Sequence, residues 1–157
     1  MKEIKFKRFN RESKRISDVP EDCKLNDIHG YWYSKYDYLQ YLGLEDANGT
    51  ELYQGDIIEL HVTKGLMKSS FHGTRLGEYL QKHPEVTSIL LIFNNPDILS
   101  MEWQIAQKIN GNFDYEEDGE LHIISDDENS TIPQLLIGFG AIRIGNILEM
   151  EYIMNAN

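Results

Sequence analysis

Cysteine is nearly absent: Cys23 is the only one in 157 residues. A single thiol excludes an intramolecular disulfide and any CxxC redox or zinc pattern, and suits a reducing compartment. Positive charge is also scarce, with 15 Lys and Arg against 26 Asp and Glu, for a formal net charge of -11. That field repels phosphate backbones and anionic lipids, so duplex nucleic acid and membrane surfaces are not the expected partners. Long apolar runs are missing as well. The longest, Ile89 to Phe93, is far short of the ~20 residues that cross a bilayer, and Met1 to Phe9 is too charged for a signal peptide. A cytoplasmic protein of a bacterial host is expected.

What the chain does have is the length of one domain and an ordinary hydrophobic share of 41%, enough to bury a core without staples. One domain over residues 1–157 is expected, since no repeat, low-complexity linker or composition break divides it. Its basic residues crowd the first fifteen positions, at Lys2, Lys5, Lys7, Arg8, Arg11, Lys14 and Arg15. Ile4, Phe6 and Phe9 between them suggest a strand whose lysines guard a sheet edge. Ile16 to Val19 suggests a second strand.

Tyr31, Trp32, Tyr33, Tyr36, Tyr38 and Tyr41 form an aromatic stretch of high β-propensity, a core or an interface. Base stacking by these rings is disfavoured here, because Asp37, Glu45 and Asp46 stand among them. Asn48-Gly49 then marks a tight turn, since both residues tolerate positive φ. In the next strand Ile58, Leu60 and Val62 share one face and Glu59 and His61 the other. Leu76, Tyr79 and Leu80 have helical spacing before Pro84. Val86 to Phe93 is a β-branched run suited to a strand buried on both faces. Residues 98–109 fit a strand slightly better than a helix. Turns follow at Asn110-Gly111-Asn112 and Glu116 to Glu120, and a loop at Asp126 to Asn129. Leu121 to Ile124, the glycine-punctuated stretch from Gln134 to Ile144, and Ile147 to Ile153 complete the expected sheet. The expected class is therefore mainly β, with one short helix in a central insertion.

The segment Gln40 to Ile58 resembles the signature of the YopX family. The positions that carry the likeness are Gln40, Tyr41, Gly43, Leu44, Asp46, Asn48, Gly49, Tyr53, Gly55 and Asp56, with Gly145 and Asn146 matching the family's closing Gly-Asn-Ile. Met1 to Phe9 is similar to its opening. Leu42 stands where the family has Thr, and Phe9-Asn10 where it has Trp-Asp. The resemblance implies a phage or prophage origin and a β-rich fold with elements of a small SH3-like barrel, and it implies no activity or cofactor.

The residues themselves explain the signature structurally. Gly43, Gly49 and Gly55 fall where turns need open backbone geometry, and Asp56 can accept backbone N–H bonds in a tight turn. His29, His61, His72, His83 and His122 have no metal-ligand spacing. Ser69-Ser70 with His72 lacks a nucleophile elbow. Gly73-Thr74-Arg75-Leu76-Gly77 is not a phosphate loop. The expectation is a non-enzymatic phage accessory module that binds a host or phage protein through aromatic and acidic surface, in one version by imitating DNA. Two alternatives stay open: a small hydrolase or nuclease with a divalent metal on carboxylates such as Glu51 and Asp56, and a homo-oligomeric structural protein.

Overall fold

A computed structural model describes residues 5–19, 36–63, 75–96, 101–124 and 132–154. Nine strands run in chain order as β1 (Phe6–Asn10), β2 (Arg15–Asp18), β3 (Tyr36–Glu45), β4 (Glu51–Tyr53), β5 (Asp56–His61), β6 (Val86–Pro96), β7 (Met101–Ile109), β8 (Asn112–Phe113) and β9 (Ile142–Asn146). They form two antiparallel sheets, ordered β2-β1-β3-β4 and β8-β7-β6-β5-β9. The fold is mainly β, two curled half-barrel sheets with a few short helices. The helices among the described residues are α1 (Arg75–Lys82), α2 (Ile132–Gly138) and α3 (Ile147–Met154).

β6 lies at the centre of its sheet and is buried on both faces, as its continuous apolar run predicts. Ile89, Leu91 and Phe93 enter a core with Leu42 and Leu52 of the first sheet, Leu76 and Leu80 of α1, and Leu136 of α2. Leu90 and Ile92 face the other way, into a cluster covered by Ile147 and Met150 of α3 and by Leu121 and Ile123. β5 alternates as expected, Ile58 and Leu60 joining the first cluster. A third cluster joins Phe9, Leu39, Tyr41 and Tyr53, with Leu148 of α3 against it. Thus α3 is wedged between the sheets through the half-buried Ile147, Leu148 and Met150, each contributing a fraction of the roughly 1.5–3 kcal/mol of full burial.

The C-terminal third departs from the sequence reading. Of the stretch from Gln134 to Phe139, expected in sheet, Gln134 to Gly138 belongs to α2 and Phe139 to the turn after it. Pro133 sits in its first turn, where a missing N–H costs nothing. Gly140, at φ 104°, ends it. Ala141 N–H reaches Leu136 O and Gly140 N–H reaches Ile137 O, both at 3.0 Å, the paired bonds of a glycine-terminated helix. Ile147 to Ile153, expected as a closing strand, is α3, because the Asn146 side chain caps it: Leu148 N–H donates to Asn146 Oδ1 at 3.0 Å. Leu121 to Ile124 is no strand either. It contributes one bridge, Tyr115 to Leu121.

β1 is also not the edge its lysines suggested. It is flanked by β2 and β3, and β2 and β4 are the edges of this sheet among the described strands. Lys5 and Lys7 lie over the Tyr41 and Tyr53 rings, 4.8 and 5.0 Å from the centroids, so their ammonium groups meet aromatic faces. Tyr31 to Tyr33, Cys23, His29, Ser69-Ser70, His72, Gly73-Thr74 and the loop at 126–129 lie outside the described residues.

Candidate functional site

The turn at Asn48-Gly49 is built around Asp46. Its Oδ1 accepts the Asn48 and Thr50 N–H groups, both at 2.9 Å, and Gly49 takes φ 83°. Its Oδ2 accepts the Arg143 N–H of β9 at 2.8 Å, so one carboxylate folds a hairpin turn and fastens it to the other sheet. Burial opposes the charge. The N–H donors of Arg143, Thr50 and Asn48 outweigh burial and hold the carboxyl below its ordinary value.

Ten residues on, Gly55 and Asp56 make the second joint. Asp56 Oδ2 accepts the Tyr53 N–H at 2.7 Å. Its Oδ1 receives Asn146 Nδ2 at 2.9 Å and Arg143 Nε at 3.0 Å. Asn146 Nδ2 also donates to Gln54 O at 2.7 Å, and Ile147 N–H to Gly55 O at 2.8 Å. Gly55 has φ 82°, and a Cβ there would stand 2.9 Å from Asn146 Oδ1 and 3.1 Å from Ile147 Cγ2. Both demands select glycine. Burial pushes the Asp56 carboxyl above its ordinary value, against the pull of the Tyr53 N–H, Asn146 and Arg143.

The remaining signature residues serve the same joint. Gln40 O accepts the Gln54 N–H at 2.9 Å. The Tyr41 and Tyr53 rings meet at 5.5 Å. Gly43, at φ 77°, lies where β3 shifts register against β4. Leu44 packs on the main core, and Gly145 against Met150. The structure thus brings the central block and the closing Gly-Asn into one place. It adds Arg143, which no local pattern singled out, because its partners lie near positions 46 and 56.

A family model described as YopX protein matches residues 1–104. The chain belongs to the YopX family. The match runs through β6 into β7, beyond the block and chain ends that carry the sequence likeness, and stops short of Arg143 and Asn146. No curated protein matches this chain. A solved structure described as the crystal structure of protein EF1440 from Enterococcus faecalis is similar over 98% of this chain and 99% of that one, at 15% identity and a TM-score of 0.43.

Outside the YopX signature, three polar groupings were invisible in the sequence because each is assembled by the fold from separate segments. Lys108 Nζ lies 3.2 Å from Glu59 Oε1 and 3.0 Å from Oε2, with hydrogen-bond geometry only to Oε1. His61 Nδ1 lies 3.1 Å from Ser88 Oγ on the adjacent strand. Asp114 Oδ2 takes Gln107 Nε2 and His122 Nδ1, each at 2.9 Å. None of these resembles a site for covalent or metal chemistry. Ser88 is 2% exposed, which hides it from a substrate. Among the described residues no group of three or more His, Cys, Asp or Glu is placed to hold a metal ion. Of the two carboxylates weighed for a metal, Glu51 is ion-paired with Lys5 and Asp56 is enclosed by its donors. No described helix is long and apolar enough to cross a membrane.

Proposed function

We propose that this YopX-family chain is a non-enzymatic protein-interaction module of phage or prophage origin, acting in the bacterial cytoplasm. The observation that carries the reading is the fate of the signature carboxylates. Asp46 and Asp56 direct their oxygens to backbone N–H groups, Asn146 and Arg143, so the carboxylates of the signature build a joint between sheets. Function then falls to the surface. Phe139 and Ile142, 40% and 38% exposed, are the large hydrophobic side chains left exposed among the described residues. They flank the turn by which α2 passes into β9, on a molecule otherwise kept soluble by its charge.

Affinity capture from bacterial host lysate, with and without magnesium, tests this using the wild-type chain and a Phe139→Asp/Ile142→Asp variant. One stoichiometric protein held by the wild type and lost by the folded variant is the expected result. Capture of nothing but itself overturns the reading and favours self-assembly. Magnesium-dependent stabilisation with turnover of a phosphodiester favours the metal-dependent alternative.

A further inference from the structure

Asparagine followed by glycine is chemically labile, because glycine has no Cβ to keep its amide nitrogen from the asparagine side chain. The sequence holds two such pairs, Asn48-Gly49 and Asn110-Gly111. The first stands at the joint between the sheets. Residues 47–50 are exposed, and nothing lies within 4 Å of a Cβ at Gly49, so water and a ring formed there have room. What restrains the pair is Asp46, itself 6% exposed. Gly49 N–H, the group whose nitrogen would attack, donates to Asp46 O at 3.0 Å, and Asp46 N–H donates to Thr50 O at 2.8 Å. Asp46 Oδ1 holds the peptides on either side, through the Asn48 and Thr50 N–H groups. The turn is fastened to the start of β9 by Arg143 N–H on Asp46 Oδ2 at 2.8 Å and by Ala47 N–H on Ala141 O at 3.0 Å.

From this arrangement we infer that Asn48 is a site of spontaneous deamidation gated by Asp46, and that its isoaspartyl product unfastens the turn from β9. In the reaction Gly49 N bonds to Asn48 Cγ, the Cγ–Nδ2 bond breaks, and ammonia leaves with the Gly49 N–H proton. Water then opens the cyclic imide at either carbonyl, giving aspartate or isoaspartate with no change of oxidation state. The attacking nitrogen must leave Asp46 O, and its peptide must turn between two neighbours held on one carboxylate oxygen. The ring therefore closes only while the turn is locally open. The isoaspartyl product cannot regain the native turn. It adds a main-chain carbon between the Asn48 and Thr50 N–H groups that Oδ1 holds together, and it sets a second carboxylate beside that of Asp46. The tie to Arg143 weakens with the turn that shapes it.

Site-resolved peptide mapping of the full chain incubated at mildly alkaline pH, folded and in guanidinium chloride, tests the inference. Asn48 is expected to convert in the folded chain roughly 10- to 100-fold more slowly than in the unfolded one. Asp46→Ala is expected to raise the folded-state rate at Asn48 about tenfold. It should leave the rate at Asn110 unchanged, because the Gly111 N–H there donates to Thr87 Oγ1, at 2.8 Å. The isoaspartyl form, separated by chromatography, is expected to melt below the chain from the same incubation that still carries Asn48. No conversion at Asn48 in the folded chain over the time that this range sets, equal rates folded and unfolded, or Asp46→Ala quickening both sites alike overturns the gating. Equal melting of the isoaspartyl and unmodified chains overturns the unfastening. Should Asp46→Ala not fold, the wild-type rates and the isoaspartyl form decide.

Discussion

Asn146 Nδ2 donates to Asp56 Oδ1 at 2.9 Å, across 90 positions of the chain. The same side chain donates to Gln54 O and, through its own oxygen, caps α3. One amide therefore ties together the start of β5, the end of β9 and the helix wedged between the sheets. Asn146→Ala removes all three bonds and orphans buried partners, for a loss of roughly 2–4 kcal/mol in urea unfolding. Asn146→Asp keeps the cap but sets a second carboxylate against Asp56, so its deficit shrinks as pH falls. A deficit independent of pH would show that the amide–carboxylate contact is not the cause.

Gly55 and Gly49 separate conformational strain from crowding. Both have positive φ, but nothing lies within 4 Å of a Cβ at Gly49, whereas one at Gly55 meets Asn146 and Ile147. Gly49→Ala is expected to cost about 1 kcal/mol. Gly55→Ala should cost at least about 2 kcal/mol more, since the joint itself must shift. Equal losses on thermal unfolding would remove the crowding argument.

The two signature aspartates have opposite pH signatures. Asp46 is held below its ordinary value of 3.8, so its stabilising charge is fully present above that value and is lost as pH falls below it. Asp56 is raised above 3.8, so the native state takes up its proton first, and its penalty is relieved as pH falls toward that value. Chemical denaturation of wild type, Asp46→Asn and Asp56→Asn from about pH 7 to about pH 3 measures both. The wild-type advantage over Asp56→Asn should grow on acidification to near 3.8, and that over Asp46→Asn should fall below it.

The Glu59–Lys108 pair is mostly buried, its side chains 9% and 19% exposed. Lys108→Met leaves a carboxylate enclosed without its cation and should destabilise by roughly 3 kcal/mol. Adding Glu59→Leu should recover most of that loss, because replacing a buried pair by apolar groups is close to neutral. A double variant no more stable than Lys108→Met alone contradicts the desolvation account.

Local chemistry made much of this fold legible. Turns at Asn48-Gly49 and Gly55, the alternation of β5, the double burial of β6 and the spacing of α1 are properties of neighbouring residues, and they stand in the structure as read. α2 and α3 were missed because a run of apolar residues serves helix and strand equally. Their deciding signals are Pro133 in a first turn and Asn146 as a cap, whereas the sheet expectation rested on the intervening glycines as bends. The signature was visible as a block, with its glycine turns and the Asp56 acceptor role anticipated. Arg143 was not, since an ion pair between residues so far apart leaves no mark on local spacing.

The sequence by itself determined the β-rich class, the turn positions and the YopX likeness, because these rest on backbone preferences and side-chain periods acting over a few residues. Only the tertiary structure decided that Asp46 and Asp56 converge on β9, that β1 lies inside its sheet, and that Asp37 and Tyr38 point to opposite faces. Strand register fixes which side each residue takes, and register is set by partners far away in the chain.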